Sequence, residues 1–401
     1  MITKASQWQR PNFADDPTLI SSVSDILRAI EIQGDSAVDS YAEKFDGCKP
    51  QLITLKPFAD YELDKELANA IQLAAKRIRR FAEFQFKNLT SRQFADEFGD
   101  FGQQIKAIKN IGAYIPGGRY PLISTALMTL IPAKVAGCTQ RIACSPSAHP
   151  AILAAASLAG ATQFIQVGGV QAIGALTFGY QNLPAVDLIV GPGNAWVNEA
   201  KKQVQSKVKI DGLAGPSELL AICDNKQPIE WLALDALAQA EHDPNACSLL
   251  VSDSQSWLTD MLSYLEKTPE TKRLLKDKQV ALIYTESKQA LIDFSETYAP
   301  EHLMLCHEAV KADDLDNYGS LFVGANSAVA LGDYISGPNH TLPTLGYAKQ
   351  TGGLSVSTFV KIQTVQQINK TGRKELSQAA KHLAKAEGLE FHYQSLLARC
   401  K

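Results

Sequence analysis

Pro300-Glu301-His302-Leu303 sets a carboxylate beside an imidazole directly after a proline. Pro300 fixes its own φ and disfavours helix at Ala299, so the pair is expected on a bend between regular elements. An imidazole titrates near neutral pH and a carboxylate can activate water, so the pair can divide proton transfers between two steps. Taken alone, a neighbouring Glu and His is also an ordinary surface pair. Its weight comes from a second group of polar residues. Gln239 and His242 are three apart at the end of a helical stretch and share one face. Asp333 and His340 lie in the irregular run Gly332-Asp333-Tyr334-Ile335-Ser336-Gly337-Pro338-Asn339-His340, and Glu387 and His392 flank Gly388, which is expected to break the helix between them. A mixed set of Gln, His, Asp and His donors suits Zn²⁺ or a similar divalent ion. Each pair also has a plain structural reading, and their separation along the chain leaves convergence to the fold. His149, His307 and His382 lack such company.

Two rival chemistries fit less well. Cys144 follows a strand and Cys138 follows Gly137, but neither has a basic or imidazole neighbour to lower its pKa. Gly215-Pro216-Ser217-Glu218 is not the GxSxG nucleophile elbow, which leaves Ser217 as a substrate contact.

The elements that must position these residues fall into two textures. Asp16-Pro17 opens a helix, with Asp as cap and Pro at its first position, and Leu19, Val23, Ile26, Leu27 and Ile30 recur at helical spacing up to Gly34. Asp35 starts a second helix that Gly47 ends, and residues 60–86 read as a long helix whose basic stretch, Lys76 to Arg80, faces solvent. From about residue 109, β-rich runs (141–145, 164–167, 186–190, 219–223) alternate with helical ones (122–136, 150–159, 170–178, 194–207). That rhythm implies βαβ units and a largely parallel sheet. Its turns, Pro116-Gly117-Gly118, Gly168-Gly169 and Gly191-Pro192-Gly193-Asn194, abut helix starts where backbone N–H groups can meet a phosphate, though glycine also serves turn geometry alone. The GxGxxG fingerprint is absent. After residue 225 come a helix over 231–241, strands at 248–251, 281–284 and 321–324, and a tail from about 355 with a helix over 374–387 and little apolar mass of its own.

The 401 residues are 45% hydrophobic and 20% charged with net charge -3, which gives no electrostatic case for nucleic acid or an anionic membrane. No apolar run nears the ~20 residues that span a bilayer, and residues 1–14 lack a signal-peptide core. Seven scattered cysteines without a CxxC pair fit a reduced, cytoplasmic chain.

Nine motifs together resemble the histidinol dehydrogenase family over nearly the whole chain: Tyr114 to Gly118, Val167 to Ile173, Gly191 to Ala195, Ala214 to Glu218, Gln239 to His242, Pro300 to Leu303, Gly332 to Tyr334, Gly337 to His340, and Leu342 to Thr344. The resemblance implies a zinc- and NAD-dependent enzyme that oxidises L-histidinol through an aldehyde to L-histidine. It implies an α/β fold of two incomplete Rossmann-like units, one inserted in the other, with a short N-terminal segment and a helical C-terminal tail exchanged in a homodimer. The corresponding division is residues 1–111 with 217–354 as the substrate and metal unit, 112–216 as the inserted NAD unit, and 355–401 as the tail. It further implies Gln239, His242, Asp333 and His392 as ligands of one Zn²⁺ per subunit, His302 as general base and Glu301 as the group that activates water. Ser217, His340 and Glu387 are implied substrate contacts, and Tyr114, Gln171 and Asn194 fall where the family places NAD. Two departures stand out: residues 252–280 look compact, as for a trimmed surface helix, and Arg119-Tyr120 is a variable-looking spot that would tune cofactor fit. A relative acting on another zinc-chelating alcohol, such as a sulfonated propanediol, is the nearest rival. Glu387 and His392 speak against it, because a tail built to contact imidazole and amine has no use for a sulfonate. A dead scaffold would have lost Glu301 or His302.

Overall fold

The structure, a computed structural model, describes residues 2–11, 16–118, 121–213 and 215–400. Arg119-Tyr120 and Ala214 therefore lie outside the described residues. The chain begins with β1 (Ile2–Lys4) and reaches α1 (Pro17–Gln33), whose cap Asp16 accepts from the Thr18 and Leu19 N–H groups. Gly34 closes α1 with positive φ, and α2 (Asp35–Asp46) ends at Gly47 in the left-handed region, as the sequence predicts. β2 (Gln51–Ile53) follows. α3 (Lys65–Lys87) starts five residues later than expected, because Asp64 rather than Asp60 caps it. Next are β3 (Arg92–Asp96), β4 (Gly99–Ala107), β5 (Asn110–Tyr114) and α4 (Ile123–Ala136). The alternation then runs β6 (Gln140–Ser145), α5 (Pro150–Ala159), β7 (Gln163–Gln166), α6 (Gly169–Phe178), β8 (Leu188–Val190), α7 (Ala195–Val204) and β9 (Lys209–Ile210).

A second alternation comprises β10 (Glu218–Cys223), α8 (Ile229–Ala240), β11 (Cys247–Ser252), α9 (Gln255–Leu265), α10 (Pro269–Lys276), β12 (Val280–Tyr284), α11 (Lys288–Tyr298), β13 (His302–Cys306), β14 (Ser320–Val323) and α12 (Val329–Tyr334). The tail carries β15 (Val360–Ile368), α13 (Lys370–Ala386) and α14 (Glu390–Arg399), with Gly388 breaking the helix at φ 72°.

Two six-stranded sheets result. One has the order β2-β7-β6-β5-β8-β9 and is parallel except for β2; the other, β1-β12-β11-β10-β13-β14, is parallel throughout. Parallel strands need both faces covered. Alternate residues of β10 show how: Leu219, Ala221 and Cys223 pack under α8 and α9, while Leu220 and Ile222 pack under α11. The other sheet is covered by α3, α4 and α5 on one face and by α1, α2, α6 and α7 on the other. A third, antiparallel sheet, β15-β4-β3, stands apart, and its strands are largely exposed. No helix among the described residues is long and apolar enough to cross a membrane.

The 252–280 region holds α9, whose Trp257, Leu258, Met261 and Leu265 are core, and the short α10, whose one buried residue is Leu274. Two details differ from expectation. Of the first hundred residues only β1 joins the second sheet. The stripe Val23, Ile26, Leu27 and Ile30 of α1 packs with Ile173 and Leu176 of α6, so α1 to α3 belong with the sheet that was expected to be an insertion of residues 112–216. The expected tail start at 355 falls inside packed structure, since Val356 and Phe359 are fully buried against α4.

Candidate active site

Strand geometry aims the central imidazole. Along β13, Leu303 and Leu305 pack on the α11 face, so Met304 and His302 project to the α8 face. There His302 meets the end of α8, which carries Gln239, and α12, which carries Asp333. Ala299, at φ 48°, makes the bend just before the pair. Glu301 and His302 are both buried.

The peptide of Glu218, the first residue of β10, holds both members of the pair. Its N–H donates to Glu301 Oε2 at 2.8 Å, and its carbonyl lies 3.1 Å from His302 Nδ1. A carbonyl only accepts, so Nδ1 carries a proton, and Nε2 is the nitrogen that gains or loses one when the ring titrates. Nε2 lies 3.7 Å from Asp333 Oδ1, and Gln239 Nε2 donates to Asp333 Oδ2 at 3.4 Å. His340 Nδ1 donates to the Asp333 carbonyl at 2.8 Å, and its Nε2 is 3.5 Å from Thr125 Oγ1. Burial works against a charged His302, but Glu301 and Asp333 outweigh it and raise its pKa to about 9. Burial lowers that of His340. Burial also raises Glu218 to about 7, with Arg10 pulling it back.

A cleft of about 440 Å³ opens over His302, bounded by Arg77 and Phe81 of α3, Phe322 of β14, Leu331 of α12 and His340. It lies between the sheets. Glu218, Glu301 and His302 sit at the amino ends of β10 and β13, an unusual edge for a site on a parallel sheet. Facing them is the carboxyl edge of the other sheet: Asn339 Nδ2 donates to the Met128 carbonyl of α4, the helix that follows β5. Ligands of open α/β sheets bind beyond carboxyl ends where strand order reverses, here between β5 and β8.

Along that edge lie Tyr114, Gln171 and Asn194. Tyr114 ends β5 and accepts from the Gly169 N–H at 3.3 Å; Gln171 Nε2 donates to Asp46 at 3.0 Å; Asn194 caps α7 through the Val197 N–H at 3.1 Å. Asp46 also accepts from Gly168 N–H, so the N-terminus of α6 already holds a carboxylate. The buried Lys201 donates to the Gly191 carbonyl at 2.9 Å and to Asp211 at 2.6 Å, while Asp211 accepts from the Gly191 N–H at 2.7 Å. Gly191 sits at φ 114°, and a Cβ there would lie 2.1 Å from the Tyr114 carbonyl oxygen. Gly191→Ala is therefore expected to lower the urea midpoint, at a cost of about 2–3 kcal/mol. An unchanged midpoint would show that the two strands separate here at little cost.

The structure thus brings Glu301, His302, Gln239, Asp333 and His340 together. Ser217 lies one residue from Glu218, half-buried. His242, just past the end of α8, is exposed, as are Glu387 and His392 on the tail. Among the described residues, no group of three or more His, Cys, Asp or Glu side chains is placed to hold a metal. Glu218 and Arg10 escaped the sequence reading. The signal for Glu218 is a lone charge opening the otherwise apolar run Leu219 to Cys223.

Fold and site together are those of an α/β protein with two largely parallel sheets, a cleft between them and a buried carboxylate–imidazole pair on it. Residues 9–400 match the sequence profile of the histidinol dehydrogenase family. Histidinol dehydrogenase of Methanosarcina mazei is 40% identical over 396 residues, covering 94% of this chain and 91% of that one, and that of Thermus thermophilus is 38% identical, covering 98% and 97%. The crystal structure of histidinol dehydrogenase from Elizabethkingia anophelis superposes with a TM-score of 0.89 at 36% identity, over 98% of this chain and 94% of that one. The chain belongs to the histidinol dehydrogenase family and is an NAD-dependent oxidoreductase.

Proposed function

We propose that the chain oxidises L-histidinol to L-histidine in two NAD-dependent steps through L-histidinaldehyde, with one zinc per subunit and a homodimer that exchanges its tails. The observation that carries this is the buried His302, its Nδ1 proton fixed on the Glu218 carbonyl and its Nε2 facing Asp333 and the cleft.

In the first oxidation His302 takes the hydroxyl proton as the carbinol carbon gives up hydride. Glu301 then deprotonates the water that adds to the aldehyde, and His302 acts again on the hydrate. One buried pair for both steps keeps the aldehyde in place between them. NAD, when bound, accepts the hydride of each step; Tyr114, Gln171 and Asn194 are the residues we assign to holding it, in a Rossmann-like unit. The donor set of Gln239 and Asp333, with His242 just beyond α8, fits a divalent ion once the Gln239 amide presents its oxygen. Zinc, when bound, orients and polarises the substrate. Against its burial, Glu301 and then Asp333 favour the protonated His302, and a divalent ion held by Asp333 would offset part of that charge and favour the neutral base. Ser217, His340 and Glu387 are assigned to the substrate.

Two apolar surfaces support tail exchange. Phe391 is 89% exposed and Leu383 67% on the tail, while Trp231, Leu234, Leu331 and Tyr334 are exposed on α8 and α12 beside the cleft. Exposed apolar patches mark interaction sites, and each of these would be covered by the other in an exchanged dimer. In the dimer, His392 and Glu387 reach the partner's site. His392→Ala and Glu301→Gln are each expected to lose most overall activity. Refolded together they should recover about a quarter of wild-type activity, because one site in each mixed dimer is intact. No recovery in a confirmed mixed dimer would place the tail in its own subunit's site. Unpaired cysteines, five of them buried, fit a cytoplasmic location.

A further inference from the structure

The residue that holds the catalytic pair is itself held from outside the site. Glu218 presents its backbone to Glu301 and His302 and turns its side chain the other way. There Arg10 lies with Nε 3.0 Å from Oε1 and Nη2 3.3 Å from Oε2, and the Leu345 N–H donates to Oε2 at 3.2 Å. Arg10 Nη2 also donates to the Tyr298 carbonyl at 2.6 Å, and the guanidinium centre stands 3.9 Å over the Tyr298 ring. Tyr298 is the last residue of α11, directly before the bend that delivers Glu301 and His302. One planar cation thus ties the start of β10 to the turn entering β13, the two segments between which the pair is strung. It comes from neither: Arg10 lies on the segment running from β1 toward α1. A guanidinium can serve a carboxylate, a carbonyl and a ring at once, whereas an ammonium is a single point.

We propose that Arg10 is a positioning residue for the Glu301–His302 pair, acting through the Glu218 carboxylate and the Tyr298 carbonyl. This rests on the acid–base reading of that pair. Losing the tie lets Glu218 and the turn shift against each other by a fraction of an ångström. Such a shift harms proton transfer more than substrate binding, because displacements of about 1 Å cost on the order of 100-fold in rate.

The test is steady-state kinetics on L-histidinol with the full-length, zinc-loaded enzyme, comparing Arg10→Met, Arg10→Lys, Glu218→Gln and the Arg10→Met/Glu218→Gln double variant. Arg10→Met is expected to lower kcat about 30-fold with both KM values within about threefold. Arg10→Lys should recover only part of that loss. The double variant should fall little below Arg10→Met, since both changes remove one tie. Wild-type kcat in Arg10→Met, a loss confined to KM, or losses that multiply in the double variant would overturn the proposal. If Arg10→Met does not fold, Arg10→Lys decides: a kcat within twofold of wild type overturns it, and a fall of about fivefold or more at constant KM upholds it. His302→Asn, run alongside, separates the two readings. Turnover surviving that change would remove the acid–base assignment itself, whereas a dead His302→Asn beside an unimpaired Arg10→Met would remove only the role of Arg10.

Discussion

His302→Asn is expected to lower kcat for histidinol oxidation about 10³-fold or more while leaving bound zinc and the melting temperature close to wild type. Asn preserves what the fold needs from this position. Its amide nitrogen can donate to the Glu218 carbonyl as Nδ1 does, and its bulk fills most of the space beside the Phe322 ring, whose centre lies 5.9 Å from that of the imidazole. What it lacks is a basic atom in place of Nε2, the one atom of the pair that faces both Asp333 and the cleft. Zinc content and turnover measured on the same sample check the point. Turnover within tenfold of wild type would move the base elsewhere, with His340 the next imidazole at hand.

The second large effect is confined to half the reaction. Glu301→Gln should leave oxidation of histidinol within about tenfold of wild type and depress oxidation of histidinaldehyde by about 10²–10³-fold. The Gln oxygen can still accept from the Glu218 N–H, so the turn should hold its shape. An amide, however, takes no proton from water. Separate rates with alcohol and with aldehyde as starting substrate read the two halves apart. Equal losses in both would mean that Glu301 serves His302 throughout, through the 3.4 Å contact between Glu301 Oε2 and Nδ1.

Much of this was open to reading in the chain. Asp16-Pro17, Gly34 and Gly47 mark helix ends through local chemistry, and those ends are where the structure has them. The alternation of apolar runs with helices foretold parallel sheets. The bend before Glu301 follows from Pro300, and the short interval between Asp333 and His340 keeps those two together. Other features depend on what an amphipathic stripe packs against, which periodicity does not specify. That is why α1 to α3 joined the other sheet. The β3, β4 and β15 sheet is largely exposed, so its strands lack the buried alternation that announces a strand. Arg10 and Glu218 lie 208 residues apart, and nothing local to either names the other. His242 and His392 are exposed in the single chain, so nothing in their surroundings there announces the ligand role proposed for them.

The most direct test of the two-step, zinc-dependent oxidation is the number of NADH molecules formed per L-histidinol consumed, measured with excess NAD before chelation, after chelation and after zinc is returned. Two NADH per substrate are expected, lost with the chelator and regained with zinc. One NADH per substrate would contradict the second oxidation assigned to Glu301 and His302, and zinc-loaded protein inert toward histidinol would contradict the substrate itself.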